Sequence, residues 1–234
     1  MRAAALIMAG GSGERFAGAS GTPKQMVELC GRPMISWSTD ALAQASQLGR
    51  IVIVLPQGLE AEVRAVLSPD ATAKLHAFVV GGATRQESVF NGLSALPSDV
   101  THVLIHDAAR PCVSSVLIES ILDALQSHHA VVPAVAVADT LVRDAGGKVD
   151  AIIDRVHVAG VQTPQAFQFD LILRAHREAR ARGFQSSDDG SLVLALGETV
   201  HTLPGERTNI KVTVRADVAM AEAILTMRKN GVRT

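Results

Sequence analysis

A glycine-rich stretch follows the first apolar run of the chain, in AGGSGERFAGASGTPKQ, and it carries two cations, Arg15 and Lys24. Glycines such as Gly11 and Gly13 after a strand let backbone N–H groups come close to phosphate oxygens. A guanidinium that grips bidentately, beside an ammonium acting as a point charge, suits a triphosphate tail. Pro23 fixes the backbone just ahead of Lys24. Two other phosphate loops fit poorly: the dinucleotide pattern GxGxxG needs Gly where Phe16 stands, and no Lys follows a correctly spaced Gly as a Walker A loop requires. An ordinary turn with two solvated cations accounts for the glycines alone, but less well for the whole string with Arg, Pro and Lys.

Further groups of chemical interest lie downstream. Asp107 follows the apolar run HVLIH and so falls at a strand end, where a lone carboxylate beside a triphosphate suits Mg²⁺; a simple pairing with Arg110 is the alternative. Arg110, fixed by Pro111, is placed to meet a second anionic substrate. Lys211 sits in TNIKVTV, whose alternation reads as a strand. Lysines are seldom buried without an anionic partner, yet a lysine on an edge strand also guards against aggregation. The spacing alone leaves both readings open.

The elements that must position these groups are short apolar runs alternating with helical periods. Ala3–Ala9, Arg50–Leu55, His76–Val80, His102–His106 and Ala130–Val137 read as strands, nearly continuous in apolar character as in a parallel sheet covered on both faces. PMISWSTDALAQAS, LEAEVRAVL, RQESVFNGLSAL and SSVLIESILDALQS read as the helices between them. In the last, Leu117, Ile121 and Leu125 share one face, and Ser114 or Ser115 serves as N-cap. A further helix is expected over ADVAMAEAILTMRK, with Asn230 to Thr234 fraying. Repeated βαβ units predict an α/β fold, a single doubly wound and mostly parallel Rossmann-like sheet, and no linker divides residues 1–234, so one domain is expected. Residues 138–155 differ: two β-type runs flank Asp144-Ala145-Gly146-Gly147, hairpin chemistry that predicts a protruding arm. Leu141, Val142, Ile152 and Ile153 on it call for a cover, and a partner subunit is the natural one. Thr140 and Arg155 fall on its opposite legs, a pairing that suits a phosphate clamp.

Composition excludes several classes. The net charge is −1 from 22 Lys plus Arg and 23 Asp plus Glu, so a global basic field for nucleic acid is missing. Six Phe, one Trp and no Tyr give no base-stacking platform, and no apolar run approaches the ~18 residues needed to span a membrane. The opening MRAAALIMAGG reads as a buried strand rather than a targeting segment. Cys30 and Cys112 lack metal-ligand spacing and read as reduced thiols of a cytoplasmic protein.

GSGER with PKQ is similar to the signature of sugar-nucleotide transferases, and HDAARPC (106–112), QTPQAF (162–167) and NIKVT (209–213) narrow it. Together, in this order and over essentially the whole chain, these strings resemble the 2-C-methyl-D-erythritol 4-phosphate cytidylyltransferase family of the non-mevalonate isoprenoid pathway. The resemblance implies catalytic roles for Arg15, Lys24 and Lys211. It implies CTP contacts from Ala9, Gly10, Gly11, Gly13, Gly82 and Ser88, and Mg²⁺ or another divalent cation on Asp107. Asp107, Ala108, Arg110, Thr140, Arg155, Thr163 and Ser187 fall at the family's substrate positions. The arm then reaches across a homodimer, so Thr140 and Arg155 serve the sugar phosphate of the other subunit. Departures from the family pattern are Ala83 and Thr208, where relatives often carry acids, and Ser187 in place of Thr. Ser187 also fits as N-cap of the helix over DDGSLVLAL. A cytidylyltransferase for another alcohol phosphate, such as ribitol 5-phosphate, needs the same CTP site, and a non-catalytic CTP sensor would bind without releasing pyrophosphate.

Overall fold

The computed structural model describes residues 1–10 and 23–231. The strands are β1 (Ala3–Met8), the short pair β2 (Glu28–Leu29) and β3 (Arg32–Pro33), β4 (Leu48–Leu55), β5 (Leu75–Val80), β6 (His102–Asp107), β7 (Ala130–Ala136), β8 (Leu141–Asp144), β9 (Val149–Ile153), β10 (Ala159–Val161), β11 (Gln165–Gln168) and β12 (His201–Pro204). The helices are α1 (Met34–Gln44), α2 (Glu60–Val66), α3 (Pro69–Lys74), α4 (Arg85–Ser94), α5 (Ser115–Ala124), α6 (Phe169–Ala181), α7 (Asp189–Leu194) and α8 (Ala216–Lys229).

The main sheet runs β5-β4-β1-β6-β11-β7, with β10 and β12 also pairing on β7. β1 is fully buried, and its side chains alternate between two cores. Ala3, Ala5 and Ile7 meet residues of α1, α2, α3 and α5, while Ala4, Leu6 and Met8 meet residues of α4, α6 and α7. Helices therefore cover both faces, which is the doubly wound α/β architecture the apolar runs predict. A third cluster packs α8 against Leu29, Met34, Cys112 and Val212. The Leu117, Ile121 and Leu125 face of α5 is buried, and Ser114, not Ser115, caps it by accepting from Leu117 N–H at 3.0 Å.

The chain builds β1, β4 and β5 outward to one edge, then returns to place β6 on the other side of β1. Order reverses at β1, and ligands of open α/β sheets bind outside the carboxyl ends of strands at such a switch point. Asp107 is in register with Met8 there.

Two expectations need correction. TNIKVTV forms no strand: Val212 is buried beside α8 and its N–H bonds to Ala109 O at 2.8 Å, so side-chain anchoring rather than a ladder explains the alternation. α7 is capped by Asp188, which accepts from Ser191 N–H at 3.2 Å, and not by the exposed Ser187. A strand the apolar runs did not announce, β11, starts within QTPQAF and runs antiparallel between β6 and β7. The arm forms as expected. Leu141 pairs with Ile153 and Val142 with Ile152, and Gly146 and Gly147 take the positive φ values (71° and 87°) that the turn needs.

Candidate active site

The carboxyl ends of β1, β4 and β5 bring small residues together. Ala9 N–H bonds to Val54 O and Gly81 N–H to Leu55 O, each at 2.9 Å. A Cβ on Gly10 would sit 3.8 Å from both Gly81 Cα and Ser88 Oγ. Ser88 Oγ accepts from Gly82 N–H at 2.9 Å and donates to Thr84 O at 2.9 Å, so it sets the backbone bend between β5 and α4. Thr84 caps α4 by accepting from Glu87 N–H, and the Glu87 carboxylate reaches back to Ala83 N–H at 2.9 Å. Ala9, Gly10, Gly82 and Ser88, separated by up to 79 residues in sequence, thus line one wall. Gly11, Gly13 and Arg15 lie outside the described residues.

β6 supplies the next wall. Asp107 Oδ2 accepts from Lys211 Nζ at 2.7 Å and Oδ1 from Arg85 Nε at 3.4 Å. Burial opposes ionisation of Asp107, but the Arg85 and Lys211 charges outweigh it and hold the carboxyl below the usual range. The pairing with Arg110 weighed from sequence is not the one formed: Arg110 donates to Asn209 O at 2.8 Å. Asn209 in turn donates to Thr163 O at 2.9 Å, which fixes the loop that presents Lys211. Asp107 N–H donates to Thr163 Oγ1 at 3.0 Å, and Ala108 N–H bonds to Met8 O. His106 lies beneath them, its Nε2 on Arg110 O and its Nδ1 on Thr163 Oγ1, and burial pushes it down to about 4. It is neutral at pH 7 and turned inward, so it is no proton acceptor for a substrate.

Lys24 opens a 3₁₀ turn (Lys24–Met26). Its charge acts on Asp217, whose carboxyl is held low by hydrogen bonds from Thr213 and Val214 N–H, just after Lys211. The structure therefore brings Ala108, Arg110, Thr163 and Lys211 around Asp107, with Lys24 beside the Lys211 loop. Thr140, Arg155 and Ser187 are exposed and make no hydrogen bond or ion pair to that cluster; Arg155 donates to Ala138 O at the base of the arm.

Sequence reasoning missed Arg85. Its NH1 also donates to Asp189 Oδ2 at 2.7 Å, and Asp189 Oδ1 meets His176 Nε2 at 3.2 Å. The TRQES string could have pointed to it, because a cation at a helix start next to the Gly81-Gly82 turn works against the helix dipole and needs carboxylate partners.

Among the described residues no group of three or more His, Cys, Asp or Glu side chains is placed to hold a metal. Asp107 nevertheless suits Mg²⁺, which takes one or two carboxylates and completes its shell with phosphate oxygens and water. Its carboxylate is ionised, sits at the ligand edge of the sheet and already attracts two cations.

Comparison with known proteins identifies the family and the fold. The IspD family model, 2-C-methyl-D-erythritol 4-phosphate cytidylyltransferase, matches residues 3–227. The enzymes of that name from Synechococcus elongatus and Geobacillus thermodenitrificans are each 40% identical to this chain, covering 96% of it and 96% and 97% of their own lengths. Among solved structures, the Thermus thermophilus 2-C-methyl-D-erythritol 4-phosphate cytidylyltransferase superposes with a TM-score of 0.79 at 35% identity, covering 97% of this chain and 100% of that one. The 4-diphosphocytidyl-2C-methyl-D-erythritol synthase of Anaerococcus prevotii gives 0.84 at 29%, covering 96% of each. Matched by the family model over residues 3–227 and by these relatives over nearly all of its length, the chain belongs to the 2-C-methyl-D-erythritol 4-phosphate cytidylyltransferase family.

Proposed function

We propose that the chain transfers the cytidylyl group of CTP to 2-C-methyl-D-erythritol 4-phosphate, giving 4-diphosphocytidyl-2-C-methyl-D-erythritol and pyrophosphate in isoprenoid precursor synthesis. The observation that carries this reading is the Asp107–Lys211 pair, set beside the Gly10, Gly82 and Ser88 wall at the switch point. A phosphate oxygen of the alcohol attacks the α-phosphorus, and the bond from that phosphorus to the bridging oxygen of pyrophosphate breaks. Phosphate monoesters have a second pKa near ~6 and are mostly ionised at neutral pH, so no general base is needed. Neutral, inward-facing His106 fits that economy.

The obstacle is bringing two polyanions together and stabilising charge on the leaving group. Lys24 and Lys211 serve the phosphates, with Arg15 of the glycine-rich stretch as a third cation. Mg²⁺ on Asp107 would neutralise phosphate charge. Backbone at Ala9, Gly10 and Gly82 and the hydroxyl of Ser88 frame a site for a pyrimidine, because bulk at these positions would exclude a ring. Arg110 serves the second anion, and Thr163, its hydroxyl turned inward to Asp107 N–H and His106, holds that end of the sheet in place. We place Thr140 and Arg155 at the sugar phosphate of a partner subunit in a homodimer, a reading supported by the solvent-facing Val142, Ile152 and Ile153 of the arm. The free thiols Cys30 and Cys112 suit the cytoplasm; no helix among the described residues is long and apolar enough to cross a membrane.

The test is pyrophosphate release with CTP against ATP, GTP and UTP, each with and without methylerythritol phosphate. Release is expected only with CTP and the alcohol phosphate together. Release with ribitol 5-phosphate instead would reassign the acceptor, and CTP binding without release would make the chain a sensor.

A further inference from the structure

We infer that Arg85, anchored by Asp189 and His176, is a positioning residue that keeps the Asp107 carboxylate aimed at the ligand edge while Lys211 engages phosphate. This rests on the functional reading above. Arg85 is the first residue of α4, and its guanidinium reaches two carboxylates from different parts of the fold: Asp107 at the end of β6 and Asp189 at the start of α7. Asp189 is only 1% exposed, and its second oxygen is taken by the equally buried His176 of α6. Arg85 itself remains 27% exposed. It therefore spans from a closed buried anchor to the open side of the sheet.

Charge bookkeeping gives the reason. Asp107 and Asp189 contribute two negative charges, and Arg85 and Lys211 two positive ones. When Lys211 turns to substrate phosphate, Arg85 stays as the side-chain cation bonded to Asp107. A planar guanidinium can hold both carboxylates at once through different nitrogens, whereas a lysine ammonium at the end of a flexible stem lacks that fixed fork. A merely structural Arg85–Asp189 pair would have no need to send Nε toward Asp107. Ser88 lies three residues on along α4 and so shares the helix face of Arg85. One helix thereby carries both the hydroxyl of the proposed base site and the guanidinium that steadies Asp107.

The experiment compares Arg85→Lys, Arg85→Ala, Asp189→Asn and the Arg85→Ala/Asp189→Asn double variant by steady-state kinetics, with an unliganded crystal structure of Arg85→Lys. Arg85→Ala is expected to lower kcat by about 100-fold with little change in KM for CTP, and Arg85→Lys to recover only part of the loss. Asp189→Asn is expected to lower kcat by about tenfold, and the double variant to be no slower than Arg85→Ala, because Asp189 acts through Arg85. In the crystal the Asp107 carboxylate of Arg85→Lys is expected to leave its present orientation. Unchanged kcat, losses that multiply in the double variant, or a loss confined to KM would overturn the proposal. If Arg85→Ala fails to fold, Arg85→Lys and Asp189→Asn carry the same comparison. Should the wild type release no pyrophosphate, the functional reading fails, and the orientation of Asp107 in the Arg85→Lys crystal still decides whether Arg85 positions it.

Discussion

Lys211 Nζ lies 2.7 Å from Asp107 Oδ2 although 104 residues separate the two in sequence. The loop after β12 is thus closed onto the end of β6 by charge, and the loop itself is held from below by Asn209, Arg110 and Gln162. A cation mounted on so constrained a loop is placed to act on charge that develops during the reaction, not merely to attract a ligand. Lys211→Met is expected to lower kcat by roughly 100- to 1,000-fold while KM for CTP changes far less. Lys24→Ala should show the same imbalance. Equal losses in both parameters would mean that the lysines only hold the ground state.

The bend at Gly82 is closed to any side chain. A Cβ there would lie 2.7 Å from Glu87 Cβ and 2.6 Å from Glu87 Cδ. Gly82→Ala must therefore push Glu87 aside, cost the hydrogen bond to Ala83 N–H and tilt the start of α4 that carries Ser88. A destabilisation of about 1–3 kcal/mol is expected, together with a rise in KM for CTP larger than the fall in kcat. Thermal melts and CTP saturation curves check both parts, and a variant with unchanged KM would remove Gly82 from the nucleotide site.

How much of this was legible in the sequence follows from the range of the interactions. β1, β4, β6 and the first half of β7 show themselves because a strand buried on both faces must be apolar throughout, β5 because its run stays apolar even at the half-exposed sheet edge, and the hairpin because Gly146 and Gly147 mark its turn. β10 and β11 do not, being three and four residues long and rich in Gln and Gly. The Lys211 run misleads, since burial of Val212 in a loop produces the same alternation as a ladder. The partners of Asp107 are hidden for another reason. Arg110 is its neighbour in sequence, but Arg85 and Lys211 reach it only once α4 and the loop after β12 have packed.

His106 provides a pH dependence of stability. Burial pushes its pKa down to about 4, against an ordinary value near 6.5. Because the folded value is depressed, the unfolded chain binds the extra proton first. Stability from the neutral, buried ring is full above about pH 6.5 and is lost as the pH falls toward 4. The loss is of order 3 kcal/mol across that window, from 1.36 kcal/mol for each unit of pKa shift. His106→Gln keeps a polar side chain but no proton site there, and should flatten the acid side of the stability curve between pH 6.5 and 4. Urea melts at intervals across that range measure it, and parallel curves for the two proteins would contradict the assignment.

The arm carries the last expected outcome. Val142 and Ile152 are directly paired across β8 and β9, and so project from the same face of the two-stranded sheet. Both are solvent-facing, Ile152 at 74% exposure, and neither belongs to any of the three cores. Burying a side chain of this kind gains about 1.5–3 kcal/mol, and in a two-fold dimer each such contact occurs twice. In the homodimer proposed above, Ile152→Asp should therefore abolish association while leaving the core, and hence the intrinsic fold of each chain, intact. Sedimentation equilibrium of parent and variant reads the first effect and far-UV circular dichroism the second. If Thr140 and Arg155 serve the site of the partner, the variant also loses turnover with methylerythritol phosphate but keeps its affinity for CTP, whose proposed site draws on one chain alone. A monomeric variant with full activity would remove the arm from catalysis, and an unchanged molecular mass would remove it from the interface.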